Sequence, residues 1–140
     1  MSSIISRICD DVAALVNAME FRGEVLASKV DFAPCLDIAR VRTRKIIVSP
    51  QSYTRTNASR SESASGAKIN IAVCEKITPD QIPEKLELVE AVARGLERKI
   101  LADSGAIVTG VEFDPVYDAN SLRSNGVFLS ICVVTVKVLK

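Results

Sequence analysis

The segment VFLSICVVTVKVL, residues Val127–Leu139, decides the fold class of this chain. β-Branched and other apolar residues occupy both alternating sets of positions within it. A run of this kind is typical of a strand that is buried on both faces, so we expect it to lie centrally in a sheet. The rest of the chain must then supply its neighbouring strands and the helices that cover them.

Four other segments have the alternation or the composition of strands: residues 24–32, 41–48, 68–77 and 107–113. Apolar residues recur at helical spacing over residues 3–19 and over residues 82–100, each with polar capping candidates just before it. Residues 116–126 are rich in turn formers and predict an irregular connection. The sequence therefore predicts one α+β domain over residues 1–140, ordered α-β-β-β-α-β-β. We expect a mixed or antiparallel sheet of about five strands with two packing helices.

The composition is that of an ordinary globular domain. Of the 140 residues, 48% are hydrophobic and 25% are charged. No segment approaches the roughly 18 uninterrupted apolar residues of a membrane span, and acids near the N-terminus argue against a secretion signal. The four cysteines, Cys9, Cys35, Cys74 and Cys132, form no C-x-x-C pair and lie in or beside apolar segments. We expect them to be buried thiols of a protein that works in a reducing cytoplasm.

The sequence offers no evident catalytic group. It contains no histidine, and therefore lacks the commonest general base and the commonest zinc ligand. It also lacks a G-x-S-x-G elbow and a phosphate-binding glycine loop. The acids Asp10 and Asp11, and Glu112 with Asp114, are better explained as exposed helix acids and a polar strand end than as cation ligands. We expect no enzyme activity, no cofactor and no bound metal.

A polar stretch, SPQSYTRTNASRSESASG, fills residues 49–66. It contains one aromatic residue and no large aliphatic one, so it cannot bury itself. Pro50 has no N–H to donate to a sheet and is predicted to end the strand before it. We expect a long flexible loop at about residues 49–66 that joins two neighbouring strands.

Residues 40–60 contain basic residues and no acid, although the whole chain has a formal net charge of only +1. A solvated strand face and loop would explain this local charge. The functional alternative is a surface for phosphates or for an acidic partner. The single aromatic residue argues against a base-stacking binder of single-stranded nucleic acid. The candidate residues for a partner-facing or DNA-facing surface are Arg40, Arg42, Arg44, Lys45, Tyr53, Arg55 and Arg60.

The arrangement of elements resembles a known family. The likeness consists of an N-terminal amphipathic helix, a strand pair broken by the polar stretch, and three short segments: LELVEAV at 86–92, FDPVYD at 113–118 and VFLSI at 127–131. Together these are similar to the tail-terminator, or neck, proteins of tailed bacteriophages. The resemblance covers nearly the whole chain and carries over no catalytic residue, because that family is structural.

The resemblance implies a subunit of a ring, typically a hexamer, that caps the tail tube, stops its polymerisation and joins the tail to the head connector. It implies contacts with itself, with the tail-tube protein, with a head-connector or head-closure protein and, transiently, with DNA passing through the lumen, but no membrane partner. The expected location is the neck of the virion, and the host bacterial cytoplasm during assembly. Two alternatives stay open: a nucleic-acid-binding or regulatory module that uses residues 40–60, and another neck component such as a head-closure or tail-completion protein.

Overall fold

The computed structural model describes residues 3–32, 42–57, 63–101 and 103–139 of the protein. Its helices in this part of the chain are α1 (Ile4–Asn17), α2 (Ile82–Leu96) and α3 (Ala119–Asn125). Its strands are β1 (Glu20–Phe21), β2 (Glu24–Val25), β3 (Lys29–Val30), β4 (Lys45–Asn57), β5 (Ser63–Lys76), β6 (Ile107–Phe113) and β7 (Val127–Leu139).

The predicted α+β class with a mixed sheet is confirmed. β1 and β2 form a small antiparallel hairpin, and the other strands form a five-stranded sheet in the order β3-β4-β5-β7-β6. β3 runs parallel to β4, whereas the remaining neighbours are antiparallel. α1 and α2 lie side by side on the sheet, as two amphipathic helices must in order to bury their apolar stripes.

All three helices pack against the same face of the sheet. The main core joins buried residues of α1 and α2, such as Val12 and Leu88, to alternate residues of the strands, such as Ile69 and Val134. Leu122 of α3 packs with Phe128 of β7, a residue of this same face, at one end of the sheet. We call this face of the sheet, together with α1 and α2, the helix layer.

The prediction that residues Val127–Leu139 are buried on both faces is wrong. In β7 the even-numbered residues from Phe128 to Val138 are buried, whereas among the odd-numbered residues Val127 is buried and Leu129, Ile131, Val133 and Thr135 are only half-buried. The even residues face the helices, and the odd ones face the opposite side of the sheet. β7 is an inner strand, but the middle of the sheet is β5.

The polar stretch at residues 49–66 is not a loop where the structure describes it. Residues 49–57 continue β4 and residues 63–66 begin β5, and the two strands pair throughout as one long hairpin. On its other side β5 pairs with β7 as far as Leu139. The polar part of β5 therefore forms a strand because it pairs with the apolar β7. Residues 58–62 lie outside the described part.

Pro50 does not end the strand because its backbone points away from β5. Val48 O accepts a hydrogen bond from Asp31 N at 2.9 Å, so the polar backbone groups of Val48 face β3. Pro50, two residues later, faces the same way, where it replaces no hydrogen bond to β5. A register shift between Pro50 and Ser52 then absorbs the local irregularity as a bulge.

Two other strand predictions need correction. Residues 24–32 form two short strands rather than one, because the chain leaves β2 at Leu26 and Ser28 N donates to Asn17 Oδ1 of α1 at 2.6 Å. α1 ends at Asn17, before Gly23. With Arg22, this glycine has positive φ and forms the two-residue turn between β1 and β2, whose mirror-image geometry needs such residues. The strand predicted at 41–48 begins at Lys45.

The predicted second helix is confirmed over Ile82–Leu96, but it ends four residues early. Arg98 has φ 57 and turns the chain away from the helix. The chain then folds back, so that Val108 N donates a hydrogen bond to Lys99 O at 2.9 Å. The connection predicted at 116–126 contains α3, which the sequence analysis missed. Asp118 caps its first turn and Gly126 closes it in the left-handed conformation.

Three cysteines, Cys9, Cys74 and Cys132, are buried and free, as predicted, and Cys35 lies outside the described residues. Burial raises the pKa of Cys9 to about 11, helped by the charge of Asp10, and raises the pKa of Cys132 to about 12. Burial also raises the pKa of Cys74. Among the described residues no helix is both long enough and apolar enough to cross a bilayer.

The high pKa of Cys132 predicts a specific loss of stability in alkali. Burial raises the pKa of its thiol from the ordinary 9.0 to about 12, so its stabilising contribution is complete below pH 9 and is lost as the pH rises towards 12. Replacing Cys132 with valine should therefore flatten the alkaline decline of the unfolding free energy by about 1.4 kcal/mol per pH unit. Urea titrations of both proteins from pH 8 to 10.5 measure this, and parallel curves would contradict it.

Candidate assembly surface

The second face of the sheet, opposite the helix layer, is half-buried and apolar at its centre. In register across the strands it carries Ile47, Ala72 and Ile131 in one row, and Asn70 and Val133 in the next. Each of these side chains is half-buried rather than buried, whereas Cys74 and Val127, at one end of this face, are fully buried beside Leu129. Within the described ranges no helix packs on this side of the sheet. We call it the sheet face.

Lysines surround this apolar centre. Alternation along each strand and the pairing between strands place five exposed lysines and only two acids on the sheet face. A cavity of about 410 Å³ at its β3 edge is lined in part by Lys29, Asp31, Lys45 and Ile47, which agrees with this assignment. None of the five lysines makes an ion pair with a described residue. The lysines are Lys29, Lys45, Lys68, Lys76 and Lys137, and the acids are Asp31 and Glu112.

A polar atom near the middle of the sheet face has no partner. The side-chain oxygen Oδ1 of Asn70 is buried and accepts no hydrogen bond from any described group. An unsatisfied buried acceptor costs on the order of 1–3 kcal/mol, so most such atoms in folded proteins find a donor.

The helix layer carries the opposite charge on its outer side. Along α1, α2 and the short 3-10 helix Pro79–Gln81, the acids that are not buried outnumber the bases. These acids are Asp10, Asp80, Glu84, Glu87 and Glu90, and the bases are Arg7 and Arg94. Glu87 Oε2 lies 2.7 Å from Arg22 Nη2, and Glu90 Oε2 lies 3.9 Å from Arg94 Nη1. The charge of the molecule is therefore unevenly distributed: the sheet face is basic and the helix layer is acidic.

The basic surface that the sequence predicts within residues 40–60 does not come together as one patch. Lys45 lies on the sheet face, whereas Tyr53 packs against the main core and Arg55 pairs with Ser65 on the helix side of the hairpin. Ten residues of strand separate Lys45 from Arg55, which is a distance of roughly 33 Å. Arg42 is exposed beside the start of β4. Arg40 and Arg60 lie outside the described residues.

Arg44 belongs to an internal ion-pair cluster rather than to a partner surface. Its Nε lies 3.0 Å from Glu75 Oε1, and its Nη1 lies 3.6 Å from Glu24 Oε2. Lys85 of α2 reaches the same Glu75 oxygen at 3.0 Å, with a side chain that is only 4% exposed. Glu75 thus ties α2 and the start of β4 to the central strand. The cluster stabilises the fold, and the sequence analysis missed it because its members are far apart in the chain.

The acids considered as cation ligands have ordinary roles. Asp10 is exposed, but Asp11 is buried, which corrects the expectation that both are exposed helix acids. The carboxylate of Asp11 accepts hydrogen bonds from Ser104 N at 2.8 Å, Ser104 Oγ at 2.7 Å and Asp103 N at 3.3 Å. In the described part of the chain, no group of three or more potential metal ligands is found.

Comparisons with known proteins add no identification. No protein-family model matches the chain, and no curated protein matches it.

Proposed function

We propose that the protein is a structural subunit of a closed ring, of the kind that the tail-terminator proteins of tailed bacteriophages form, and that it is not an enzyme. The observation that carries the proposal is the pair of unlike faces. One side of the sheet presents a half-buried apolar centre with a lysine rim, and the other side presents acidic helices. A protein with two unlike, complementary faces forms head-to-tail contacts, which close into a ring when the rotation between copies allows it.

In this proposal the ring, typically a hexamer, caps a tail tube, stops its polymerisation and joins it to the head connector. The partners are other copies of the chain, a tail-tube protein and a connector or head-closure protein. The protein works in the neck of the virion after assembly in the bacterial cytoplasm. The long hairpin of β4 and β5 is the part best suited to reach a neighbouring component, since its outer half is polar.

Light scattering coupled to gel filtration, followed by electron microscopy, tests the proposal. We expect a particle whose mass is a small integral multiple of 15.1 kDa, with a ring visible in projection. A protein that stays monomeric at tens of micromolar, both alone and with a tail-tube protein, would overturn it. A ring that binds a connector but no tube would favour another neck component over a terminator.

A second candidate function is nucleic-acid binding, favoured by the five lysines of the sheet face, none of which pairs with an acid in the described part of the chain. Contacts with phosphates release counterions, so the affinity for DNA would fall steeply with salt. Replacing Lys45 and Lys68 with glutamine should then reduce the slope of log affinity against log salt by about 2. If the protein does not bind DNA at low salt, nucleic-acid binding is excluded as its function. The apolar centre, which phosphates would not satisfy, makes it the weaker candidate.

A further inference from the structure

We infer that the sheet face of one copy binds the acidic helix layer of the next copy, so that these two faces form the subunit contact of the ring. The inference rests on the proposed function, because it names the surfaces that a ring would use. It commits the sheet face to one occupant, a second copy of this chain.

Charge complementarity carries the first step. On the sheet face five lysines stand against Asp31 and Glu112, and on the helix layer five acids stand against Arg7 and Arg94. The two faces thus carry an excess of opposite sign, also when Arg22, the partner of Glu87, is counted with the helix layer. Complementary potentials of this kind orient two protein surfaces and disfavour the wrong pairing.

The same charges exclude the obvious symmetric contact. If two sheet faces met around a twofold axis, lysines would face lysines, and this contact would be repulsive. Two helix layers would likewise bring acids together. Only the contact of a sheet face with a helix layer pairs opposite charges, and such a contact is head-to-tail. The electrostatics therefore favour a ring or filament over a closed dimer.

The uncharged groups agree with this geometry. The apolar row of Ile47, Ala72 and Ile131 needs a partner surface that is not wholly charged, and the outer side of the helices offers the small residues Ala14 and Ala91 between its acids.

Two charge-reversed proteins test the contact. The sheet variant carries Lys45→Glu and Lys68→Glu, and the helix variant carries Asp10→Lys and Glu90→Lys. All four side chains are exposed, so both variants are expected to fold, and circular dichroism with thermal melting verifies this. A matched control, Lys99→Glu with Arg123→Glu, makes the same change of charge as the sheet variant at exposed positions outside β3–β7, α1 and α2.

We expect each variant alone to weaken assembly roughly 100-fold, because it places like charges opposite each other. The control should assemble as the wild type does. A mixture of the two variants should recover the ring, since the acidic sheet face of one matches the basic helix layer of the other, and vice versa. Light scattering in low salt, at matched protein concentration, measures the assembly of the sheet variant, the helix variant, their mixture and the control.

The outcomes separate this inference from the proposed function. If the wild type forms rings and both variants still assemble, the ring stands but these faces are not its contact. If the sheet variant fails to assemble but the helix variant assembles normally, the surface that binds the sheet face is not the helix layer. If both fail and the mixture does not recover, the two faces do not bind each other. A monomeric wild type overturns the proposed function itself.

Discussion

Replacing Glu75 with glutamine is expected to lower the free energy of unfolding by about 3 kcal/mol, the low end of the usual cost of breaking a buried ion pair. Glu75 Oε1 lies 3.0 Å from both Lys85 Nζ and Arg44 Nε. Glutamine keeps the size of the side chain but removes the charge, so two cations are left without their shared counterion. Lys85 suffers most because its side chain is only 4% exposed. We expect the melting temperature to fall by roughly 10 °C.

Lys85→Met is the matched control for this prediction. Methionine fills the path of the lysine stem, and Glu75 keeps Arg44 as its partner, so the cost should stay below about 1 kcal/mol. Urea unfolding at one fixed protein concentration measures both variants, since association would otherwise add to the apparent stability. Equal losses for the two variants would contradict a shared counterion at Glu75.

Periodicity predicts most of the secondary structure, because it depends on local patterns. The apolar stripes of α1 and α2 and the alternation in β6 and in the inner half of β5 all appear at or near the predicted residues. The errors fall where tertiary pairing overrides local preference. Residues 49–57 are polar and contain a proline, yet they form a strand because β5 and β7 beside them already define a ladder.

The candidate site was harder to predict, because it depends on strand pairing. Because Arg44, Lys45 and Arg55 are close in sequence, they were predicted to share one basic surface. Alternation of side chains and the bulge after Pro50 instead place Arg44 in the ion-pair cluster, Lys45 on the sheet face and Arg55 on the helix side of the hairpin. The lysines at 29, 68, 76 and 137 come from three strands, β3, β5 and β7, and share one face only in the folded sheet. Alternation within each strand was visible in the sequence, but no pattern in one strand shows which strands lie beside it.

Asp11 is the second residue whose loss should weaken the fold strongly. Its buried carboxylate accepts three hydrogen bonds from Asp103 and Ser104, which fix the turn leading into β6 against α1. Arg7, one turn earlier on α1, supports the same turn by donating from Nη2 to Asp103 O at 2.6 Å. Hydrogen bonds to a charged acceptor contribute about 1.5–3 kcal/mol each in favourable cases.

We expect Asp11→Ala to lower the free energy of unfolding by about 2–3 kcal/mol, after allowing for the slightly better helix propensity of alanine. Asp11→Asn keeps one acceptor oxygen and should lose about 1 kcal/mol. Asp10→Ala, which removes the exposed neighbouring acid, is the control and should change stability by less than about 0.5 kcal/mol. Hydrogen exchange at Ser104 N should accelerate in Asp11→Ala alone. If Asp10→Ala and Asp11→Ala behave alike, the turn is held by Arg7 and by its own backbone bonds, and the carboxylate does not anchor it.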